Sequence, residues 1–183
     1  MDELLLVDPS LEYKDEIWAF REEVLQKDAG HGDKFAGCNG LERAESAEDW
    51  ISHCVKLKSP FSCEKTGSYV AEQIYLAVRR DDDKVAGIIG LRPDLKDHPV
   101  LNLWGGNIGF SVRPSMRGHG YSKTMLALVL EKAKADGLPK VMVCCDDDNY
   151  ASEKAIVRNG GIYEKTVEYK GYYIKRYWIC LEG

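Results

Sequence analysis

Residues 110–122 read Phe-Ser-Val-Arg-Pro-Ser-Met-Arg-Gly-His-Gly-Tyr-Ser, and this stretch decides the fold. An apolar strand runs into Pro114. A basic, glycine-punctuated turn follows, Arg117-Gly118-His119-Gly120. Tyr121, Met125, Leu128 and Val129 then recur at the spacing of one helix face. Strand, glycine turn and helix is the layout of a phosphate cradle; a tight turn before a core helix is the other reading of the turn alone. Glycine lets the backbone approach an anion closely. The first N–H groups of a helix have no intrahelical partner, and the dipole places roughly half a positive charge at that end. Arg117 is expected to add a full charge. The segment is not a dinucleotide fingerprint, because Lys123 stands where a third glycine is needed. It is not a Walker loop either, because no glycine precedes Lys123.

Outward from this centre, the chain of 183 residues suits one domain with a substantial core. A composition of 44% hydrophobic and 30% charged residues is that of an ordinary globular protein. The net charge of −5 argues against a general nucleic-acid binder, which carries a basic face. The start, Met-Asp-Glu-Leu-Leu-Leu-Val, lacks the basic region and cleavage site of a signal peptide. No apolar run approaches the ~20 residues of a membrane span. A cytoplasmic location with no membrane partner is the expectation. None of the six cysteines forms a Cys-x-x-Cys pair, so buried free thiols are expected and no metal site.

Glu3 to Val7 reads as a first strand. Ser10 reads as an N-cap for a helix carrying Leu11, Ile17, Phe20, Val24 and Leu25. Residues 29–40 are loop. Ser46-Ala47-Glu48-Asp49 resembles a capping box opening a second helix through Trp50, Ile51, Cys54 and Leu57. Ile74 to Arg79 and Lys84 to Leu91 form strands turned at Asp81-Asp82-Asp83. Leu103 to Val112 is expected as the central strand. A strand from Lys140 to Asp146, a short helix ending at Asn159-Gly160-Gly161, and a hairpin turned at Lys170-Gly171 complete the chain. The order β-α-α-β-β-β-α-β-α-β-β predicts an α/β sandwich, a mixed sheet with flanking helices.

The pattern resembles the acetyl-CoA-binding core of the GNAT N-acetyltransferases. Their signature, Gln or Arg, two residues, Gly, one residue, Gly or Ala, falls on Ser115-Met116-Arg117-Gly118-His119-Gly120. Ser115 departs from the usual first residue, and Arg113 or Arg117 is expected to supply the charge. The resemblance covers about residues 103–161. With Gly105-Gly106-Asn107-Ile108-Gly109-Phe110 and Asn159-Gly160-Gly161 it resembles a bacterial subgroup of predicted acetyltransferases. It implies a mainly antiparallel sheet and one acetyltransferase-like domain over 1–183.

The resemblance also implies roles. Cofactor phosphates would sit on the backbone of Arg117, Gly118, His119, Gly120, Tyr121 and Ser122. Asn149 and Ser152 would line the CoA arm. The arm's amides would pair with the main chain around Phe110, Ser111 and Val112, as in strand addition. Gly105, Asn107, Gly109 and Ser111 share one face of the expected strand, and their small size suggests room for a thin ligand; a bend at Gly105-Gly106 is the other reading.

The implied chemistry is acyl transfer from a thioester to an amine, on a small-molecule acceptor. A lysine-like amine with a pKa of ~10.4 is only about one part in two thousand neutral at pH 7, so a proton must be removed. Many family members place a tyrosine acid seven residues after the position of Asn149; here it is Ile156. Many also carry a glutamate on the central strand, and none lies between Leu101 and Val112. Asn107, holding a water, and Tyr150 are the catalytic candidates. His31, Tyr75 and Trp104 are the acceptor-pocket candidates, and Asp28 and Asp33 are acidic loop residues able to attract a cationic amine. The missing tyrosine and glutamate leave a non-catalytic acyl-CoA-binding or sensing module as the alternative. A homodimer through the C-terminal hairpin or exposed sheet edges is compatible with the sequence.

Overall fold

The computed structural model describes residues 3–28, 34–59, 70–96 and 98–182. The fold is built on one seven-stranded sheet. Its strands are β1 (Leu4–Val7), β2 (Gln73–Arg79), β3 (Val85–Leu91), β4 (Ile108–Val112), β5 (Lys140–Asp146), β6 (Ile162–Tyr169) and β7 (Tyr172–Cys180). Their spatial order is β1-β2-β3-β4-β5-β7-β6. Helices α1 (Lys14–Lys27) and α2 (Ala47–Leu57) precede β2 in the chain. Helix α3 (Tyr121–Ala135) joins β4 to β5, and α4 (Tyr150–Arg158) joins β5 to β6. The element order matches the sequence expectation.

Each face of the sheet carries its own core. β3, Val-Ala-Gly-Ile-Ile-Gly-Leu, is buried along its whole length because helices cover both sides. Ile88 packs with Ile17, Phe20, Val24 and Trp50 of α1 and α2. Ile89 packs with Met125, Leu126 and Val129 of α3 on the opposite face. Ser46 caps α2 as its sequence suggests, accepting the Asp49 N–H at 3.1 Å. Trp50 is fully buried, yet its Nε1 donates to the Asn39 carbonyl at 2.9 Å, so no polar atom is stranded there. The β6–β7 turn has Lys170 and Gly171 both at positive φ, the geometry of a two-residue hairpin turn.

All neighbouring strands pair antiparallel except β4 and β5, which run parallel and share one register pair, Ile108 with Val143. Beyond that pair the two strands part. The opening between them positions the site.

The central strand is shorter than the sequence suggests. Leu101–Gly105 winds into a π-helical turn, and β4 begins only at Ile108. His98 Nδ1 accepts the Leu101 N–H at 3.2 Å and Asn102 Nδ2 donates to the Lys96 carbonyl at 2.7 Å, closing the turn. Gly106, at φ +67, lets the chain leave it for the sheet. Trp104 and Gly105 therefore lie outside the strand.

Candidate active site

A cleft of about 430 Å³ opens where β4 and β5 separate. Phe110, Ser111 and Val112 form one wall. Asp146, Asn149 and Ser152 form the other. Gly118, Gly120, Tyr121 and Ser122 lie at its end. The glycine turn and the polar start of α4, far apart in sequence, thus meet around one space.

The turn has the geometry of an anion cradle. Gly118 and Gly120 are left-handed, at φ +84 and +83, a region that other residues enter at a cost of roughly 1–2 kcal/mol. Around Gly118 no protein atom comes within 4 Å of the place a Cβ would take, so the turn is open toward the cleft. Gly120 caps α3 with no side-chain hydrogen bond. The helix N-terminus therefore faces the cleft with no capping side chain of its own. His119 is exposed; its Nδ1 lies 3.0 Å from the Arg117 carbonyl and its ring stacks on Tyr121. At the start of α4, Asn149 accepts the Ser152 N–H at 3.1 Å, an N-cap that fixes both residues at the cleft. Asn159 ties the two helices together, donating to the Ala155 carbonyl at 2.8 Å and to the Lys123 carbonyl at 3.1 Å.

The two arginines do not add free charge to the turn. Arg117 grips Asp28 with two bonds of 2.9 and 2.5 Å, and the carboxylate raises the guanidinium's pKa further. The pair fastens the end of α1 to the glycine turn. Asp28 is thereby committed to Arg117. Arg113 is buried and paired with Glu16 at 2.6 Å and Glu23 at 2.9 Å, both on α1. Burial acts to raise the Glu23 carboxyl, but hydrogen bonds from Ser115 and Arg113 outweigh it and hold it below the usual carboxylate range. Lys34, also lining the cleft, lies 3.5 Å from Glu42.

The glycine-rich face of β4 receives another part of the chain. Gly37, at φ +75, presses on Gly109, and Ser111 Oγ lies 2.9 Å from the Ala36 carbonyl and 3.2 Å from that of Lys34. The small side chains on that face make room for the 34–37 backbone. The Phe110 side of β4 and the gap toward β5 remain open to the cleft.

Asn107 is buried, and its amide joins strands. Its Oδ1 accepts the Met142 N–H at 2.8 Å and its Nδ2 donates to the Arg92 carbonyl at 2.9 Å. It therefore holds the ends of β3 and β5 together. Tyr150 is 73% exposed and lies away from the cleft lining. Tyr75 is buried in the α3-side core, its hydroxyl donating to Gln73 at 2.5 Å and Lys132 over its ring. Trp104 packs on Tyr169 with ring centroids 5.3 Å apart, outside the cleft lining. His31 and Asp33 lie outside the described residues. Ile156, seven residues after Asn149, is fully buried in the α3-side core.

Cys144 and Cys145 on β5 have their thiols pushed up to about 12 by burial, which makes them poor nucleophiles. Cys180 departs from the expected burial and is exposed; Cys63 lies outside the described residues. Among the described residues, no helix is long and apolar enough to cross a membrane.

Comparison with known proteins decides the family. The profile of the GNAT acetyltransferase domain matches residues 4–162, most of the chain. The chain belongs to the GNAT acetyltransferase family. It is a GNAT-family N-acetyltransferase. Solved structures share its fold. A GNAT-family acetyltransferase from Bacillus anthracis superposes with a TM-score of 0.64 at 15% identity, covering 100% of this chain and 98% of that one. The microcin C7 self-immunity acetyltransferase, solved with acetyl-CoA and AMP, gives 0.65 at 16%, covering 98% and 93%. A ribosomal L7/L12 alpha-N-protein acetyltransferase in complex with coenzyme A gives 0.61 at 20%, covering 97% and 92%. No curated protein matches the sequence significantly.

Proposed function

We propose that the whole chain acts as a single acetyltransferase domain that moves the acetyl group of acetyl-CoA to a primary amine on a small molecule, by direct attack within a ternary complex. The observation that carries this reading is the opening between β4 and β5, closed at one end by the doubly left-handed glycine turn. A slot between strands suits a thin amide-bearing arm, and an open helix N-terminus suits phosphates. Similar folds have been solved with acetyl-CoA or coenzyme A bound.

In this reading the N–H groups from Arg117 to Ser122 hold the phosphates. The main chain of Phe110 and Val112 pairs with the arm's amides beside Ser111. Asn149 and Ser152 flank it from α4. Bound acetyl-CoA supplies an activated acetyl group on a good leaving group, the thiolate. The protein then has three tasks: to hold the two reactants together, to offer main-chain donors to the developing oxyanion, and to see the amine's proton removed. Ordering one reactant in the slot leaves only the amine to be brought in.

The test is thiol release from acetyl-CoA across a panel of small primary amines, matched with calorimetric acetyl-CoA binding. Release that depends on one amine class is expected. Tight binding without release from any amine would overturn the reading and leave an acyl-CoA-binding module in its place.

A further inference from the structure

The cleft lining holds two carboxylates whose roles nothing above assigns, Asp146 and Asp148. Asp146 ends β5, and its side chain lines the cleft. Val141, Val143 and Cys145 point into the α3-side core, so strand alternation turns Asp146 to the opposite face, the side of Ser111. In the parallel register set by Ile108 and Val143, Asp146 falls level with Ser111. It stands ~10 Å beyond the point where the strands part, at three residues of roughly 3.3 Å each.

We infer that the Asp146 carboxylate is the group that takes the proton from the acceptor amine in the acetyl transfer. The inference rests on the acetyl-transfer reading above and adds its base.

Three observations support it. The first is availability. Of the other carboxylates in the lining, Asp28 is held by Arg117, and Asp148 is exposed at the mouth. Among the described residues, no cation lies within ion-pair distance of Asp146. The second is surroundings. The groups facing it are Asp147 and Asp148 on its own segment and Ile174 across the β5–β7 ladder. The Asp28–Arg117 pair and Lys34 stand around the same cleft. Lys175 of β7 is turned away onto Glu153. The third is basicity. Burial, followed by the charges of Asp148 and Asp147, raises the Asp146 pKa above its ordinary value, toward the range where a carboxylate serves as a base near neutral pH.

The acceptor enters as an ammonium ion and gives one proton to Asp146, which later passes it to water through the open mouth. The nitrogen lone pair forms a C–N bond to the acetyl carbonyl carbon, the C–S bond breaks, and the thiolate leaves with that electron pair. The second nitrogen proton goes to the thiolate sulfur. The products are amide, free thiol and one proton released to solvent.

The experiment compares the intact protein with Asp146→Asn, which keeps the shape and removes the base. Two nucleophiles are used: the alkylamine giving the fastest thiol release, and methoxyamine, which is already neutral at pH 7. With the alkylamine the wild type should show kcat/KM flat between an acid limb and the amine's own pKa. D146N should fall about 100-fold or more at pH 7. Its rate should then climb tenfold per pH unit as free amine appears. With methoxyamine the two proteins should agree within about threefold. Both proteins should still bind acetyl-CoA, and Asp147→Asn, which removes one of the charges that raise Asp146, should move the acid limb to lower pH while keeping the plateau within about threefold of wild type. D146N within threefold of wild type on the alkylamine at pH 7 would overturn the inference. So would a loss equal at every pH and with both nucleophiles. Wild type that binds acetyl-CoA but acetylates no amine removes the acetyl-transfer reading itself, and the base with it.

Discussion

Gly37 lies against Gly109 so closely that a methyl group on its Cα would sit 2.0 Å from the Gly109 carbonyl oxygen. The contact lays the loop between α1 and α2 on β4, the wall of the cleft. Both the closeness and the left-handed φ of +75 require glycine at 37. Gly37→Ala should destabilise the protein by at least about 2 kcal/mol, because backbone, not a flexible side chain, must move. Gly118→Ala, also left-handed but with nothing within 4 Å, should cost only about 1 kcal/mol. Urea denaturation of the two variants side by side checks this. Equal costs would mean that the loop yields freely at Gly37.

The Arg117–Asp28 pair sets the charge at the phosphate end of the cleft. With Asp28 in place, the guanidinium is largely neutralised. Asp28→Asn should release it toward a bound anion and tighten acetyl-CoA binding severalfold at low salt, an advantage that fades as salt rises. Arg117→Ala should do the reverse and also cost about 1–3 kcal/mol of stability, since the buried Asp28 carboxylate loses two charge-assisted bonds. Calorimetric titration at two ionic strengths reads both effects. Weaker binding in D28N would show that the pair, rather than the freed charge, serves the cofactor.

Arg113 anchors α1 to the sheet through Glu16 and Glu23, and this anchor is sensitive to acid. Glu23 titrates below its ordinary value in the folded protein. Its stabilisation is therefore complete above the unfolded carboxyl pKa and is lost as pH falls through the lower, folded one. Tm should drop as pH goes from about 5 to about 3, with a shallower drop in Glu23→Gln. Identical slopes in the two proteins would mean that the Arg113 anchor does not depend on that charge.

The sequence was most readable where local patterns repeat and least readable where distant residues meet. The strand, glycine turn and helix at 108–135 carry their own periodicity and turn chemistry, and they form as read. Residues 103–107 misled because Trp104 falls in phase with Ile108, Phe110 and Val112, as in a strand. Short apolar runs do not distinguish strand from helical turn, and here His98, Asn102 and Gly106 settle the matter through hydrogen bonds and a positive φ. Arg117 was legible as a cation but not as a paired one, because its partner Asp28 lies 89 residues away. Likewise the glycines of β4 signalled a close approach, but only the folded chain shows that Gly37 makes it. Asp146 ends a strand in a run of three aspartates, which reads as solvated surface until the parting of β4 and β5 puts it in the cleft.

Asn107 tests the difference between holding a site and working in it. Its side chain connects the Met142 N–H of β5 with the Arg92 carbonyl beyond β3, just before β4 begins. The main chain adds two more bonds at the same place, from Asn107 N–H to the Met142 carbonyl and from Arg92 N–H to the Asn107 carbonyl. Asn107→Ala would strand a buried donor and a buried acceptor, each costing about 1–3 kcal/mol. Loss of about 2–4 kcal/mol of stability is expected. A positioning residue and a catalytic one diverge in the kinetics of the folded fraction. If Asn107 only ties the strands where they begin to part, kcat per folded molecule should stay within about threefold of wild type at a temperature where N107A remains folded. Its pH profile should be unchanged. A fall of 100-fold in kcat with unchanged Tm would instead make the Asn107 amide a participant in the chemistry.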